Sequence, residues 1–370
     1  MAQANRRAGI RRRVRWVGDL AVAASARTAA GQDASGRCET ILAYAHQALA
    51  AHPGPESLRT LLRVPASPYA ENSGRIRSER RLASLVAHGH RIEDIARLVF
   101  ARESGSVHSR EFAACLLHEL VLVSDRVEEH PAMVSFAGTL RSEGHPLAEP
   151  PSHLLPEEQQ GLRRPADAAD DWTWTVHPSP VVSYEAAELH TTPEMRQRAA
   201  GIDMTETSLP ELAETVGAVV RHWRDQSNGE IAAQEFWSPD PVAPEDFPAV
   251  FEQLPLIPWP ADGAPARLHP STPGEVLRIL LTAAVRAPAY GLGPGGAYGR
   301  LAARRSLGGL AGAPTDAPIT HTAELVRQTR WFCPDAVSSM WFHEVAWDLA
   351  VAALRPGGPE IVVLAATDTD

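Results

Sequence analysis

The chain has 370 residues and a mass of 39.9 kDa, with 35 basic and 45 acidic side chains and a formal net charge of −10. All of the basic residues are arginine, which excludes chemistry that requires lysine, such as Schiff-base catalysis or a lysine-bearing phosphate loop. The acidic balance argues against general nucleic-acid binding, which needs a basic surface for the phosphates. No apolar stretch is long enough for a membrane span.

Arginines dominate the start of the chain, where six of the first 15 residues are arginine. This composition predicts that residues 1–36 form a basic, flexible arm. From Glu39 onward, apolar residues recur every three to four positions, which indicates amphipathic helices. The residues that carry this pattern include Ile41, Leu42, Ala45, Leu49, Phe112, Leu116 and Leu120. We therefore expect a compact helical domain over residues 37–147.

A change in composition marks the next boundary. Residues 148–171 are rich in proline and polar side chains, and proline interrupts both helices and strand ladders, so this stretch is predicted to be a linker. Residues 172–370 show mixed patterns. Period-two alternation predicts strands at 172–176 and within 181–189, and the Asn228-Gly229 pair predicts a turn into a strand over 231–237.

Two serine or threonine residues lie three positions before a glutamate, which is the spacing of a helix capping box. These are Ser208 with Glu211 and Thr272 with Glu275. At the C-terminus, two apolar runs flank Arg355-Pro-Gly-Gly-Pro359 and predict a hairpin, although a helix over residues 340–354 is an alternative. The predicted fold class is α+β, with a helical N-terminal domain followed by a mixed domain that ends in a β-hairpin.

A glycine-rich segment, residues 291–299, precedes a predicted helix. Backbone amides at such a position can bind phosphate, and a nearby arginine can balance its charge. The candidate ligand-binding residues are Gly293, Gly295, Gly296, Tyr298 and Arg300. The spacing matches neither the dinucleotide fingerprint nor the lysine-containing phosphate loop, so a structural loop that permits close packing is the alternative.

Acid–base chemistry has candidates near the C-terminus. His343, Glu344 and Asp348 lie close together in sequence, and on a strand Glu344 and Asp348 share one face. A solvated strand face is the alternative reading. No His-Glu-x-x-His motif occurs, so the pair of histidines that holds a catalytic zinc ion is missing. We expect no metal and no other cofactor.

Aromatic residues are dense in the same region, and Trp341 and Trp347 are candidate ligand-binding residues. These rings predict either a pocket or partner surface, or part of the hydrophobic core, because each buries a large area.

Several segments resemble an actinobacterial protein family of unknown function, mainly over roughly the last 80 residues. They are Gly296-Ala-Tyr-Gly-Arg-Leu-Ala302, Ser306-Leu-Gly-Gly-Leu310, Trp341-Phe-His-Glu-Val-Ala-Trp-Asp348 with Ala353-Leu-Arg-Pro356, and the chain end from Leu364. The resemblance implies a soluble actinobacterial protein and assigns no catalytic residue.

The leading hypothesis is a non-catalytic binding protein with an unknown protein or small-molecule partner, because the C-terminal domain is rich in aromatic residues and no catalytic motif is complete. The alternative is an enzyme that acts on a phosphorylated or anionic small molecule, with the glycine-rich loop as binding site and His343, Glu344 and Asp348 as acid–base groups. Three widely spaced cysteines without a Cys-x-x-Cys pair suit a reducing compartment, which predicts a cytoplasmic location.

Overall fold

A computed structural model describes residues 2–32, 37–66, 72–101, 109–162, 188–259, 266–335, 339–342 and 346–369. It confirms the predicted α+β class, with helices in the N-terminal part and an antiparallel sheet in the C-terminal part. The chain divides into two compact units. Unit 1 contains Met1–Leu154 and Gly295–Tyr298, and unit 2 contains Leu155–Pro294 and Gly299–Asp370.

Unit 1 is helical. Its helices are α1 (Ala2–Ala29), α2 (Arg37–Ala50), α3 (Pro55–Leu61), α4 (Asn72–Gly89), α5 (Ile92–Ile95), α6 (Arg110–Val123) and α7 (Pro131–Ser142). The predicted apolar stripes form its core, with Leu42, Leu49, Phe112, Leu116 and Leu120 all buried. Helical periodicity therefore located these packed faces from the sequence alone.

The N-terminal segment differs from the predicted flexible arm, because residues 2–29 form helix α1. Val14, Ala21 and Ala24 recur at helical spacing and are buried, and α1 packs against α2 and α3. This narrow stripe of small apolar residues lies among many arginines. The composition of the segment therefore concealed its amphipathic pattern.

Unit 2 combines helices with one six-stranded sheet. Its elements are α8 (Pro156–Leu162), α9 (Pro193–Ala199), β1 (Thr205–Glu206), α10 (Pro210–Val216), α11 (Arg221–Gln226), β2 (Glu230–Trp237), α12 (Phe247–Phe251), β3 (Leu268–Ser271), α13 (Pro273–Val285), α14 (Gly295–Leu310, whose first turn belongs to unit 1), α15 (Ile319–Gln328), β4 (Arg330–Pro334), β5 (Trp347–Leu354) and β6 (Glu360–Asp368). The strand order is β1-β2-β6-β5-β4-β3, and every neighbouring pair is antiparallel.

The C-terminal hairpin is confirmed. Strands β5 and β6 pair from Leu354–Ile361 to Trp347–Asp368, so residues 347–354 form a strand and not the alternative helix. Gly357 and Gly358 have φ angles of 84° and 83°, which glycine adopts without strain in the connecting turn. Residues 361–366 are buried on both faces of the sheet, as their continuous apolar run predicts.

The predicted linker contains a helix, because residues 156–162 form α8. Pro156 stands at the first helical position, where its missing N–H costs nothing, so this proline starts a helix instead of interrupting one. Gly161 lies against Gly274 of α13, with space for no side chain between them. The predicted strand at 172–176 and most of the one at 181–189 lie outside the described residues.

The two predicted capping boxes have different outcomes. Thr272 and Glu275 form the predicted box at the start of α13. The prediction for Ser208 is wrong, because α10 begins at Pro210 and no side chain caps it. Ser208 instead donates to Glu206 at 2.8 Å and accepts the amide N–H of Glu235 at 2.9 Å. The Ser208 hydroxyl therefore bonds to residues of β1 and β2, and it does not cap α10.

Among the helices of the described residues, none combines the length with the hydropathy that a membrane span requires.

Candidate functional site

The glycine-rich segment is shared between the two units, and each part is built differently. Gly295, Gly296 and Tyr298 belong to unit 1, at the first turn of α14, whereas Gly293 belongs to unit 2.

In unit 1, the first turn of α14 binds a carboxylate that the protein itself supplies. The amide N–H of Ala297 donates to Oε1 of Glu119 at 3.1 Å, and Glu119 is almost completely buried. A Cβ at position 296 would lie 2.7 Å from Oε2 of Glu119, so a larger residue there would displace this carboxylate. The position where the sequence predicts a phosphate is thus occupied by Glu119, which satisfies the exposed amides at a helix N-terminus.

Burial raises the pKa of Glu119 above its ordinary value of 4.5, because the interior disfavours the charged form. The amides of Ala297 and Gly296, the charge of His88 and a hydrogen bond from Ser84 act in the opposite direction but do not outweigh burial. Folded unit 1 therefore holds this proton more strongly than the unfolded chain does.

This raised pKa predicts a pH dependence. The stability that the protonated Glu119 carboxyl group contributes is fully present below pH 4.5, and it is lost as the pH rises through the pKa of Glu119 in the folded protein. Glu119→Gln cannot ionise, so its free energy of unfolding should improve relative to wild type as the pH rises above 4.5. Urea unfolding across this range, with the exposed Glu39→Gln as control, tests the prediction. A difference between Glu119→Gln and wild type that is independent of pH would contradict it.

Tyr298 belongs to a polar cluster centred on Glu111. The Glu111 carboxylate accepts hydrogen bonds from the Tyr298 hydroxyl at 3.2 Å and from Arg80 Nε at 3.1 Å, and its Oε2 lies 3.2 Å from Nε2 of His145. The Arg80 guanidinium also lies 3.8 Å from the centroid of the Tyr298 ring. Burial and the charge of Glu111 raise the pKa of Tyr298. The cluster therefore satisfies its polar groups internally.

Arg300, the predicted anion ligand, is buried in unit 2. Its Nε and Nη2 donate to the two carboxylate oxygens of Glu158 at 2.7 and 2.8 Å, and both side chains are 1 % exposed. Burial acts to raise the pKa of Glu158, but the hydrogen bond and charge of Arg300 and the charge of Arg304 hold it below its ordinary value. The pair joins α14 to α8.

The unit 2 part of the segment lies in a loop that we name the anchored loop, residues 286–294. Hydrogen bonds attach it at four points. Trp347 Nε1 donates to the carbonyl of Ala287 at 3.0 Å, and the amide of Ala289 donates to Asp368 Oδ2 at 2.8 Å. The other two bonds join His222 Nε2 to the Arg286 carbonyl and the Leu292 amide to Gln226 Oε1. The loop is thereby fixed to β5, β6 and α11.

Close packing supports the same loop. A Cβ at Gly293 would lie 2.3 Å from the carbonyl oxygen of Val285, so only glycine fits. The Arg286 guanidinium lies 4.1 Å from the centroid of the half-buried Trp347 ring, in a cation–π contact. Burial lowers the pKa of His222, and the Arg286 carbonyl and the charge of Asp368 oppose this effect.

Two large apolar side chains of the anchored loop are exposed. Tyr290 is 63 % and Leu292 is 56 % exposed. They lie two positions apart on a backbone that the four hydrogen bonds hold. We did not predict either residue, although an aromatic and an aliphatic side chain within a glycine- and proline-rich loop were visible in the sequence.

The predicted acid–base group is only partly placed. His343 and Glu344 lie outside the described residues, so their pairing with Asp348 stays a prediction. Asp348 is on β5 opposite Thr367, on the sheet face away from Trp347 and Asp368. Among the described side chains, no group of histidine, cysteine and acidic residues could hold a metal ion.

Trp341 belongs largely to the core of unit 2. It is half-buried and lies edge-on to Phe342 at 4.9 Å between ring centroids, and Phe342 in turn contacts Trp259. Its neighbour Met340 is 93 % exposed. The two aromatic candidates thus differ, because Trp341 packs on the core whereas Trp347 supports the anchored loop.

Comparison with known proteins identifies one family. A model described as a family of unknown function (DUF6183) matches residues 1–370, and the chain therefore belongs to this family. No curated protein and no solved structure matches the chain.

Proposed function

We propose that this member of a family of unknown function is a non-catalytic binding protein, and that the anchored loop contacts a protein partner through Tyr290 and Leu292. One observation carries the proposal. A loop that four hydrogen bonds hold to the sheet and to a neighbouring helix leaves two large apolar side chains in solvent.

Preorganisation is the physical basis of this proposal. A mobile loop loses conformational entropy when a partner orders it, and that loss weakens binding. The anchored loop is already ordered by its hydrogen bonds. Tyrosine also offers a large contact area with few rotatable bonds, which suits it to the centre of an interface. Burial of Tyr290 and Leu292 can therefore favour binding while the anchored loop loses little conformational entropy.

The chemistry of the loop selects the kind of partner. Tyr290 and Leu292 call for apolar side chains on the partner, because their exposed surface is buried favourably only against apolar groups. Two exposed apolar residues are too few for a permanent interface, which is larger and more hydrophobic. We infer a transient complex with a protein that presents an apolar segment.

The enzyme alternative has less support. It requires Arg300 and the amides near Gly296 to bind an anion, yet Arg300 pairs with Glu158 and the Ala297 amide pairs with Glu119. We therefore do not assign a substrate to this segment.

We also propose a cytoplasmic location in an actinobacterium. Cys38, Cys115 and Cys333 are all buried and form no disulfide, which suits a reducing compartment. The actinobacterial source is proposed from the resemblance of the C-terminal sequence segments.

Site-specific cross-linking tests the proposed surface. A photoreactive phenylalanine analogue placed at position 290 should form a covalent product with one main partner in cells. The same analogue at Tyr44, which is 67 % exposed on α2, should not form this product. Added purified wild-type protein should compete for the partner and reduce the amount of cross-linked product, whereas the Tyr290→Ser/Leu292→Ser variant should reduce it much less.

Identical products from positions 290 and 44, or equal competition by wild type and the double variant, would show that the anchored loop is not the binding surface.

A further inference from the structure

A small, partly open cavity lies in unit 1, lined mainly by helices α2 and α4. Both helices contribute lining residues, and Gly89 at the end of α4 lies close to the carbonyl group of Ala50 at the end of α2. The cavity has a volume of about 100 Å³. It is lined by Glu39, Leu42, Ala43, His46, Ala66, Ser78, Arg81, Leu82 and Leu85. None of these residues belongs to the anchored loop.

The lining combines apolar, polar and charged side chains. Leu42 and Leu82 are buried, and Leu85 is half-buried, so they provide an apolar wall. Glu39 and Arg81 are exposed and carry opposite charges at the cavity. Within the described part of the chain, neither of these two charged side chains forms an ion pair. Both charges therefore remain available to a ligand.

We propose that this cavity binds a small aliphatic amino acid in its zwitterionic form. The Arg81 guanidinium would bind the α-carboxylate, Glu39 would bind the α-ammonium group, and the side chain would occupy the space beside Leu42 and Leu82. A ligand with only a carboxylate is attracted by Arg81 but repelled by Glu39. A ligand with only an ammonium group is attracted by Glu39 but repelled by Arg81. Only a ligand that carries both charges therefore interacts favourably with both residues.

The size of the cavity limits the ligand. An apolar cavity of about 150 Å³ holds benzene, so about 100 Å³ suits a branched aliphatic side chain such as that of valine. Aromatic amino acids exceed this volume. The proposal concerns unit 1 and is independent of the function proposed for the anchored loop.

Calorimetric titration of the full-length protein tests the site. L-Valine should bind with saturable heat, whereas isobutyrate and isobutylamine, which each carry one charge, should bind much more weakly. Arg81→Gln should weaken valine binding about tenfold or more, as the loss of a charge-assisted hydrogen bond predicts. Arg77→Gln, at an exposed position on the same helix, should bind like wild type.

Three results would overturn the inference. They are the absence of valine binding at millimolar concentration, equal binding of isobutyrate and valine, and equal weakening by Arg81→Gln and Arg77→Gln. A folded state for each variant, verified by circular dichroism, separates loss of the site from loss of the structure.

Discussion

Replacing Glu158 with methionine should lower the free energy of unfolding of unit 2 by about 3–5 kcal/mol. The carboxylate is 1 % exposed, binds Arg300 through both oxygens and also accepts the amide N–H of Leu155. Its removal leaves the Arg300 guanidinium buried without the charge of Glu158, and the cost of losing a buried opposite charge exceeds that of a lost surface ion pair. Arg304, which lies 3.7 Å from the same carboxylate, also loses this interaction.

The double variant Glu158→Met/Arg300→Met provides the control. Removing both charges and retaining similar volume should recover at least about 2 kcal/mol of the loss, because apolar replacements of buried ion pairs are often neutral or stabilising. Urea unfolding followed by tryptophan fluorescence reports on unit 2, because Trp16 is the only tryptophan outside residues 155–370. A double variant no more stable than Glu158→Met would contradict the explanation.

The second large effect concerns the contact between α8 and α13. A Cβ at Gly161 would lie 2.1 Å from the carbonyl oxygen of Gly274, which is a backbone atom that cannot rotate away. Gly161→Ala should therefore destabilise unit 2 by about 2–3 kcal/mol, because overpacking outweighs the gain of about 1 kcal/mol in helix propensity. Tryptophan fluorescence during urea unfolding measures the loss.

The same substitution at Gly138 of α7 should have the opposite sign. No atom lies within 4 Å of the Cβ that alanine would add there, and the position is exposed. Gly138→Ala should stabilise unit 1 by about 1 kcal/mol, measured by far-UV circular dichroism. If both variants change stability in the same direction, the close approach of α8 and α13 does not determine the effect at Gly161.

The sequence predicted elements that depend on local patterns. The apolar periodicity of α2 and α6, the capping box at Thr272 and the C-terminal hairpin were all predicted from neighbouring residues. The predictions were wrong or incomplete where contacts between residues that are distant in the chain determine the local structure. Ser208 serves the β1–β2 pairing and not a helix, and Pro156 begins a helix that the proline content had concealed.

The candidate site shows the same division. The glycines of residues 291–299 correctly indicated close backbone approaches, but the sequence could not reveal that Glu119 fills the predicted anion site. Glu119 is far from the loop in the chain, and its pairing depends on the fold of unit 1. Likewise, the hydrogen bonds that hold the anchored loop come from Trp347 and Asp368, whose positions follow from the strand register.

The affinity of the cross-linked partner, purified and titrated against the full-length protein, tests the central claim most directly. Wild type and the control Tyr44→Ser should bind with the same Kd, whereas Tyr290→Ser/Leu292→Ser should bind at least about tenfold more weakly, because two buried apolar contacts are lost. A double variant that retains its fold and binds with the wild-type Kd would contradict the assignment of the anchored loop as the binding surface.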